Sequence, residues 1–324
     1  MNYRFLFVGA LGVALAAYLV KFVGVGAVLS AATAVGWRGF VLLCLYAAAL
    51  FPLLGTAWYT LLPEAPARYF GITVWARMVR DSAAEVLPFS QLGGIALGAR
   101  AATTQGMPAP LTFASMIADI TTELFAQIAY AAAGVAILAT WTPPSGRTPA
   151  HTSALVAGLV LAMAGGATFV FLQLKGRRFT GKIAARLLPR AVSTTEALAA
   201  ALDSIYRSRL RIALSATVHL TAWIASAGGT WIAFRLIGSH PRWPAVLALE
   251  SLVYAARSAA PFVPNALGVQ EAAYAALAPL LGIGAELGLA VSLIKRARDI
   301  ALGIPILLIW QAVEGRRALA ERAS

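Results

Sequence analysis

The chain consists of long apolar runs separated by short polar segments. Six runs predict membrane-spanning helices, at about residues 5–20, 39–62, 111–139, 152–174, 212–237 and 287–312. A helix needs roughly 20 mostly apolar residues to cross a bilayer, and these runs approach or exceed that length. Of the 324 residues, 60% are hydrophobic and only 12% are charged, which is typical of an integral membrane protein without a large soluble domain.

Two regions interrupt this pattern, at residues 70–106 and 245–282. Each mixes short apolar pieces with prolines, glycines and charges. Broken helices occur within a bilayer only where protein or a water-filled cavity covers their free backbone groups. Each region is therefore predicted to be a re-entrant helical hairpin. The residues predicted to form the hairpins are Pro88, Gly93 and Gly94 in the first, and Pro264, Asn265 and Gly268 in the second.

The two interrupted regions also share a spacing of landmark residues. In the first region the landmarks are Gly93, Gly106 and Asp119, each 13 residues after the last. In the second region they are Gly268, Gly282 and Arg296, each 14 residues after the last. Such spacing indicates an internal repeat, which we place at residues 39–140 and 212–312. The hairpins are predicted to enter from opposite sides of the membrane, so the repeat is inverted, as in many transporters.

Charge sets the predicted orientation. Residues 175–211 hold nine Lys or Arg and only two acidic residues, so the positive-inside rule places them in the cytoplasm. Ser193 and Glu196 fit a capping box, which predicts that an amphipathic surface helix begins there. This basic segment either fixes the topology or senses lipids. The first apolar run is predicted to be an uncleaved helix, and both termini are predicted to be cytoplasmic.

The sequence offers little support for nucleic-acid binding, metal binding or cofactor chemistry. The net charge of +13 reflects basic loops that meet anionic lipid, and no basic stretch carries a groove-reading motif. The three histidines are scattered, without metal-ligand spacing, and His219 is interpreted as a packed or hydrogen-bonded helix residue. We therefore expect neither a metal nor a cofactor.

Ionisable residues lie within or beside the apolar runs. Each costs about 2.5–3.5 kcal/mol at mid-bilayer on insertion scales, so such residues usually face a cavity or a partner. They are Glu85, Arg100, Asp119, Glu123, Glu250, Arg257, Glu271, Lys295, Arg296, Arg298 and Asp299. As a group they either bind substrate or only hold the repeats together.

Helical spacing suggests how these charges pair. Asp119 and Glu123 are four residues apart and share one helical face. Arg100 is predicted to pair with one of these two acids, and Glu271 is predicted to pair with Arg296. The residues predicted to bind the transported substrate are Arg100, Asp119, Glu123, Glu271, Arg296 and Asp299.

Two stretches, LPFSQLGGIALGARAATTQG and VPNALGVQEAAYAALAPLLG, resemble the membrane domain of the lysylphosphatidylglycerol synthetases and their flippase-like relatives. The LGVQE form resembles the hopanoid-biosynthesis-associated members known as HpnL. The resemblance covers most of the chain and implies a lipid translocator, with hopanoids as one cargo. By position, it assigns roles to Pro88, Gly93, Gly94, Arg100 and Asp119 in the first half, and to Pro264, Gly268, Glu271 and Arg296 in the second.

The chain departs from the family pattern at two places. Ile95 stands where the first stretch often has an acid, and Asn265 and Ala266 replace the glycines of a Pro-Gly-Gly sequence. Because of these departures, the resemblance does not determine which lipid head group the chain binds. We expect no lysyl-lipid synthesis, because the sequence shows no soluble aminoacyl-transfer domain.

The sequence thus predicts an all-α polytopic protein of the bacterial inner membrane, with about six full transmembrane helices and two re-entrant hairpins. The leading hypothesis is alternating-access transport of a membrane lipid, either a hopanoid or an anionic phospholipid. Arg100 and Arg296 would bind the head group while the nearby acids balance or relay charge. Two alternatives stay open: an intramembrane enzyme that uses Glu271 or Asp119 as acid or base, and a non-transporting scaffold. Proteins of lipid biosynthesis or export are candidate partners.

Overall fold

The computed structural model describes residues 33, 35–87, 90–141, 192–259 and 264–323. Within these ranges all regular structure is helical, as predicted. The α-helices are α1 (Gly36–Thr60), α2 (Arg68–Val86), α3 (Ser90–Thr104), α4 (Ala109–Thr140), α5 (Val192–Arg207), α6 (Arg209–Leu236), α7 (Trp243–Ser258), α8 (Val269–Leu277) and α9 (Ala285–Ala323). Two 3-10 turns, Pro264–Ala266 and Pro279–Leu281, flank α8. Pro88 and the predicted spans 5–20 and 152–174 lie outside the described residues.

Three of the described helices, α1, α4 and α6, are long and apolar enough to cross a membrane. They coincide with the predicted spans 39–62, 111–139 and 212–237. Helix α9 covers the predicted span 287–312 and extends beyond it, but a group of charged residues lies in its first half. The helices agree with a multi-pass membrane protein.

The distribution of buried side chains also suits a lipid environment. Leu45 on α1 is 64% exposed and Leu308 on α9 is 53% exposed, whereas Asp119 and Glu250 are each 0% exposed. A soluble protein buries its large apolar side chains and leaves its charges in water. Here the apolar exterior can contact lipid tails while the charges face other helices.

Helices α2 and α3 form a helical hairpin inside the first interrupted region. Helix α2 ends at Val86, where the following Leu87 is extended with φ −94° and ψ 145°. The chain then returns as α3, which packs along α2. Gly94 permits this close approach, because a Cβ atom at that position would lie 2.5 Å from the backbone oxygen of Arg80. Gly94, the second glycine of the pair, therefore positions α3 beside Arg80.

The second interrupted region breaks between α7 and α8. The backbone of Asn265, Ala266 and Gly268 is left-handed, with φ values of 51°, 45° and 78°. L-residues rarely adopt this conformation, although asparagine tolerates it better than most. The reversal occurs where Asn265 and Gly268 predict it. Ala266 keeps the left-handed backbone even though it stands where the family often has glycine.

The same turn follows both helix pairs, α2–α3 and α7–α8. Gly106 and Gly282 have φ values of 92° and 78°. Each precedes a long helix by three residues, since α4 begins at Ala109 and α9 begins at Ala285. The two landmark glycines of the sequence therefore have the same structural role.

The helices α1 to α4 and α6 to α9 pack in corresponding ways. Helix α2 packs on α9, and α7 packs on α4; α3 contacts α4, and α8 contacts α9. Helix α1 contacts α9 as α6 contacts α4, and α1 and α6 pack against each other.

Helix α5 begins close to the predicted cap at Ser193, and its Ile205 packs against Ala114 and Ala118 of α4. Its apolar face is therefore covered by protein.

Candidate functional site

The ends of the two helix breaks meet in a group of polar side chains. The side-chain amide of Asn265 donates a hydrogen bond to the backbone oxygen of Glu85, and Arg257 Nη2 lies 2.6 Å from Glu85 Oε1. Arg296 Nη1 donates to the backbone oxygen of Asn265 at 2.9 Å, and its Nη2 lies 2.9 Å from Glu271 Oε1. We call these five residues the tip cluster. They join the end of α2 to the α7–α8 break and to α9.

Glu271 has two functions within the tip cluster. It binds Arg296, the pairing that the sequence predicts, and its other oxygen, Oε2, accepts a hydrogen bond from the Gly268 N–H at 2.8 Å. The first N–H groups of a helix have no partner within the helix and favour a negative charge. The start of α8 therefore binds its own carboxylate, which in turn orients Arg296.

Two oxygen atoms of the tip cluster have no partner within the described part of the chain. They are Asn265 Oδ1 and Glu85 Oε2, and both are buried. Buried polar atoms are almost always hydrogen-bonded in folded proteins. Both atoms are acceptors, so a ligand with hydroxyl or amine hydrogens could satisfy them. The cluster holds two guanidinium groups and two carboxylates, so its formal charges balance.

A second buried group joins α2, α4 and α6. We call it the Arg77 cluster, and it consists of Arg77, Arg80, Asp81, Asp119, Glu123 and His219. Arg77 lies 2.8 Å from both Asp119 Oδ2 and Glu123 Oε1. Arg80 contacts the same two acids at 2.9 Å. Charge-assisted bonds of this length are the stronger kind of hydrogen bond, so α2 and α4 are tied firmly together.

The predicted pairing of Arg100 with Asp119 or Glu123 is wrong. Arg100 Nη2 lies 2.8 Å from Glu314 Oε1 on α9, and its side chain is 55% exposed. The reason is the direction in which it leaves α3. Gly98 faces α2, and Arg100, two residues later, points about 200° around the helix from it. The acids of α4 are bound instead by the arginines of α2.

A third buried group joins α6, α7, α8 and α9. Lys295 Nζ binds Glu250 Oε1 and lies 3.0 Å from the Tyr274 hydroxyl, while Thr230 donates to Glu250 Oε2 at 2.9 Å. Lys295 is 3% exposed, so it does not extend to the membrane surface as its long side chain would allow. We call these four residues the Lys295 cluster.

Asp299 is the other predicted site residue that lies outside the three clusters. Its Oδ1 is 2.6 Å from Nη2 of Arg298, the residue beside it in the chain. The predicted residues Asp119 and Glu123 belong to the Arg77 cluster, and Glu271 and Arg296 belong to the tip cluster. The structure thus brings four of the six predicted substrate-binding residues into two buried groups and leaves two apart.

The family described as lysylphosphatidylglycerol synthase TM region matches residues 6–306, which is most of the chain. The chain belongs to this family. No curated protein and no solved structure matches it. Membership of the lysylphosphatidylglycerol synthase TM region family supports a lipid-related function in a membrane.

Several residues of these clusters were not predicted as site residues. For Arg77 and Arg80 a signal was present, since residues three apart share a helical face, and Arg77 and Asp81 are four apart. For His219 no such signal exists, because it is a lone histidine in an apolar helix. The structure confirms that it is hydrogen-bonded, with Nε2 3.0 Å from Asp119 Oδ1.

Proposed function

We propose that this member of the lysylphosphatidylglycerol synthase TM region family moves a polar lipid between the leaflets of the bacterial inner membrane. The tip cluster is the head-group site in this proposal. The observation that carries it is the contact between two helix breaks from different halves of the chain, in which Asn265 and Arg257 bind Glu85.

The arrangement of the helices supports an alternating-access mechanism. In transporters with inverted repeats, the substrate site lies near mid-membrane, between the repeats, and discontinuous helices form it. The corresponding packing of α1–α4 and α6–α9 and the matching turns at Gly106 and Gly282 support such a repeat here. We therefore interpret α2–α3 and α7–α8 as re-entrant hairpins whose ends meet inside the bilayer.

The chemistry of the tip cluster favours a head group that donates hydrogen bonds. Its charges balance, so it offers an anionic phosphate no net positive charge. Its unpartnered atoms, Asn265 Oδ1 and Glu85 Oε2, require donors. The polyhydroxylated head group of a hopanoid meets that need, and the HpnL-like form of the second stretch favours the same cargo. An anionic phospholipid is the second candidate.

The tip cluster suits a carrier better than an enzyme. An intramembrane enzyme would need a carboxyl group that exchanges a proton with the lipid. Glu271 is already bound by Arg296, and Asp119 by two arginines. Both acids are therefore engaged in positioning cations rather than facing a lipid head group.

Reconstitution into liposomes tests the proposal. Fluorescent hopanoid polyol or fluorescent phosphatidylglycerol is placed in both leaflets, and the fraction that a membrane-impermeant quencher reaches is followed with time. We expect the wild type to exchange the hopanoid faster than protein-free liposomes do. Arg296→Gln should slow this exchange at least about tenfold, because it removes the contacts that position Glu271 and the Asn265 carbonyl in the head-group site, and about 1.4 kcal/mol in a barrier is one decade in rate.

The matched control is Arg100→Gln, which removes an arginine that is 55% exposed and that contacts Glu314 rather than any residue of the tip cluster. Because the tip cluster stays intact in this variant, it should exchange lipid within about twofold of the wild type. Thermal melting in detergent separates lost transport from lost folding. Failure of the wild type to exchange either lipid would contradict the proposal, and a chemically altered head group in the recovered lipid would favour an enzyme.

A further inference from the structure

His219 is a buried histidine with one bonded and one unbonded ring nitrogen. It lies on α6 and is 0% exposed. Its Nε2 is 3.0 Å from Asp119 Oδ1, and its Nδ1 is buried without a hydrogen-bond partner in the described ranges. A carboxylate can only accept, so Nε2 carries the hydrogen of this bond. In the neutral ring Nδ1 therefore holds a lone pair that is free to take a proton.

The formal charge of the Arg77 cluster leaves room for that proton. The cluster contains three carboxylates, those of Asp81, Asp119 and Glu123, and two guanidinium groups, those of Arg77 and Arg80. With a neutral His219 the cluster carries one net negative formal charge, in which Asp119 is fully buried while Asp81 and Glu123 are 27% and 18% exposed. Protonation of His219 brings the sum to zero. It also places the added positive charge against Asp119, the most deeply buried carboxylate of the cluster, so the cluster is suited to bind one proton.

The other ionisable groups that approach α6 have partners of their own or lie farther along it. On α1, the Tyr46 hydroxyl donates to Ala225. On α7, Glu250 binds Thr230 and Lys295, and on α9, Arg298 approaches Gly229 and binds Asp299. Tyr206 of α5 reaches Thr121, and Tyr130 of α4 stacks on Trp223. Among the residues that the structure describes, Asp119 is therefore the ionised group in direct contact with His219.

We propose that His219 binds a proton and thereby couples lipid movement to a proton gradient; the coupling rests on the lipid transport proposed above. A proton from water is added to the Nδ1 lone pair and gives an imidazolium ion. Asp119 then interacts with a cation on α6 as well as with the arginines of α2, so the ion pairs of Arg77 and Arg80 with α4 weaken. When His219 loses the proton, these ion pairs regain their strength.

Helix α2 connects this event to the head-group site. It carries Arg77 and Arg80 in its middle and Glu85 near its end, where Glu85 belongs to the tip cluster. A shift of α2 relative to α4 therefore moves Glu85 relative to Asn265 and Arg257. One helix thus transmits the protonation state of His219 to the site that holds the lipid.

Nuclear magnetic resonance can detect the protonation without knowledge of the lipid. Replacing His151 and His240 by glutamine leaves His219 as the single histidine of the chain. With ¹⁵N-labelled histidine in nanodiscs, the Nδ1 resonance is followed while the pH is lowered from about 8 to about 5. Proton binding should move it from the unprotonated to the protonated position. A resonance that stays constant across this range would overturn the proposal.

A transport assay tests the coupling itself. Movement of the fluorescent lipid is measured with and without an imposed pH gradient, and the ratio of the two initial rates is compared. We expect a ratio of at least about fivefold for the wild type, the lower end of typical coupling between two sites. His219→Gln can still donate to Asp119 but cannot bind a proton, so its ratio should fall to one. His240→Gln, at an exposed position, should keep the wild-type ratio.

The outcomes separate this proposal from the one on which it rests. If the wild type moves no lipid with or without a gradient, the proposed transport function fails. If it moves lipid but the ratio is one, or if His219→Gln keeps the wild-type ratio, only proton coupling fails. If His219→Gln does not fold, the resonance of the single-histidine protein still tests proton binding by His219, and the wild-type ratio still tests the coupling.

Discussion

Asp119 and Lys295 occupy the same position in two long helices and carry opposite charges. Each is the eleventh residue of its helix, Asp119 in α4 and Lys295 in α9. Asp119 binds Arg77 of α2, and Lys295 binds Glu250 of α7. In both halves of the chain, a buried ion pair therefore ties the long helix to the first helix of the preceding hairpin, with the signs of the charges exchanged.

The Lys295 cluster should tolerate loss of the whole pair better than loss of one member. Breaking a buried pair by removing one partner costs about 3–5 kcal/mol, whereas an apolar replacement of both partners is often neutral. Lys295→Met should therefore lower the unfolding temperature in detergent strongly, and the double variant Lys295→Met with Glu250→Leu should recover most of the loss. Equal melting of the single variant and the wild type would show that the pair is not buried as described.

Ala266 should be more stable as glycine. Its φ of 45° is left-handed, and this conformation costs a non-glycine residue about 1–2 kcal/mol. We expect Ala266→Gly to raise the free energy of unfolding by about 1 kcal/mol. The matched control is Ala276→Gly in α8, where the same change should lower stability by about 1 kcal/mol because glycine disfavours a helix. A loss of stability in both variants would contradict the left-handed backbone at Ala266.

The two adjacent glycines of the first stretch should differ in their tolerance of a methyl group. A Cβ at Gly94 would lie 2.5 Å from the backbone oxygen of Arg80, whereas a Cβ at Gly93 would meet nothing within 4 Å. Gly94→Ala should force α3 away from α2 and cost about 1–3 kcal/mol, a typical cost of overpacking. Gly93→Ala should be neutral or slightly stabilising in chemical denaturation. If Gly93→Ala lost more stability than Gly94→Ala, α3 would not pack on α2 as described.

The sequence predicted the local features of the fold well. The apolar runs predicted α1, α4 and α6, and Asn265 and Gly268 marked the second break because these residue types accept left-handed backbone. The pairing of Glu271 with Arg296 was also predicted, and the structure confirms it. These features depend on composition, periodicity or turn chemistry.

What the sequence did not predict depends on the rotation of each helix about its axis. The direction of Arg100 is set by the face of α3 that packs on α2, and that contact is made by glycines without side chains. For the same reason, Arg77 could not be matched to Asp119 across 42 residues of chain. The bond between His219 and Asp119 spans 100 residues and has no sequence signal at all.

The depth of the two hairpin ends in the bilayer tests the account most directly. In a chain whose single cysteine, Cys44, is replaced by alanine, spin labels are attached in turn at Leu87, at the exposed Ala259 and at the exposed His240. Collision with oxygen and with a water-soluble nickel complex then reports the depth of each label. We expect the labels at Leu87 and Ala259 to lie near the centre of a hydrocarbon core about 30 Å thick, and the label at His240 to lie at its surface. Labels at Leu87 and Ala259 that lie as shallow as the one at His240 would contradict a lipid site inside the membrane.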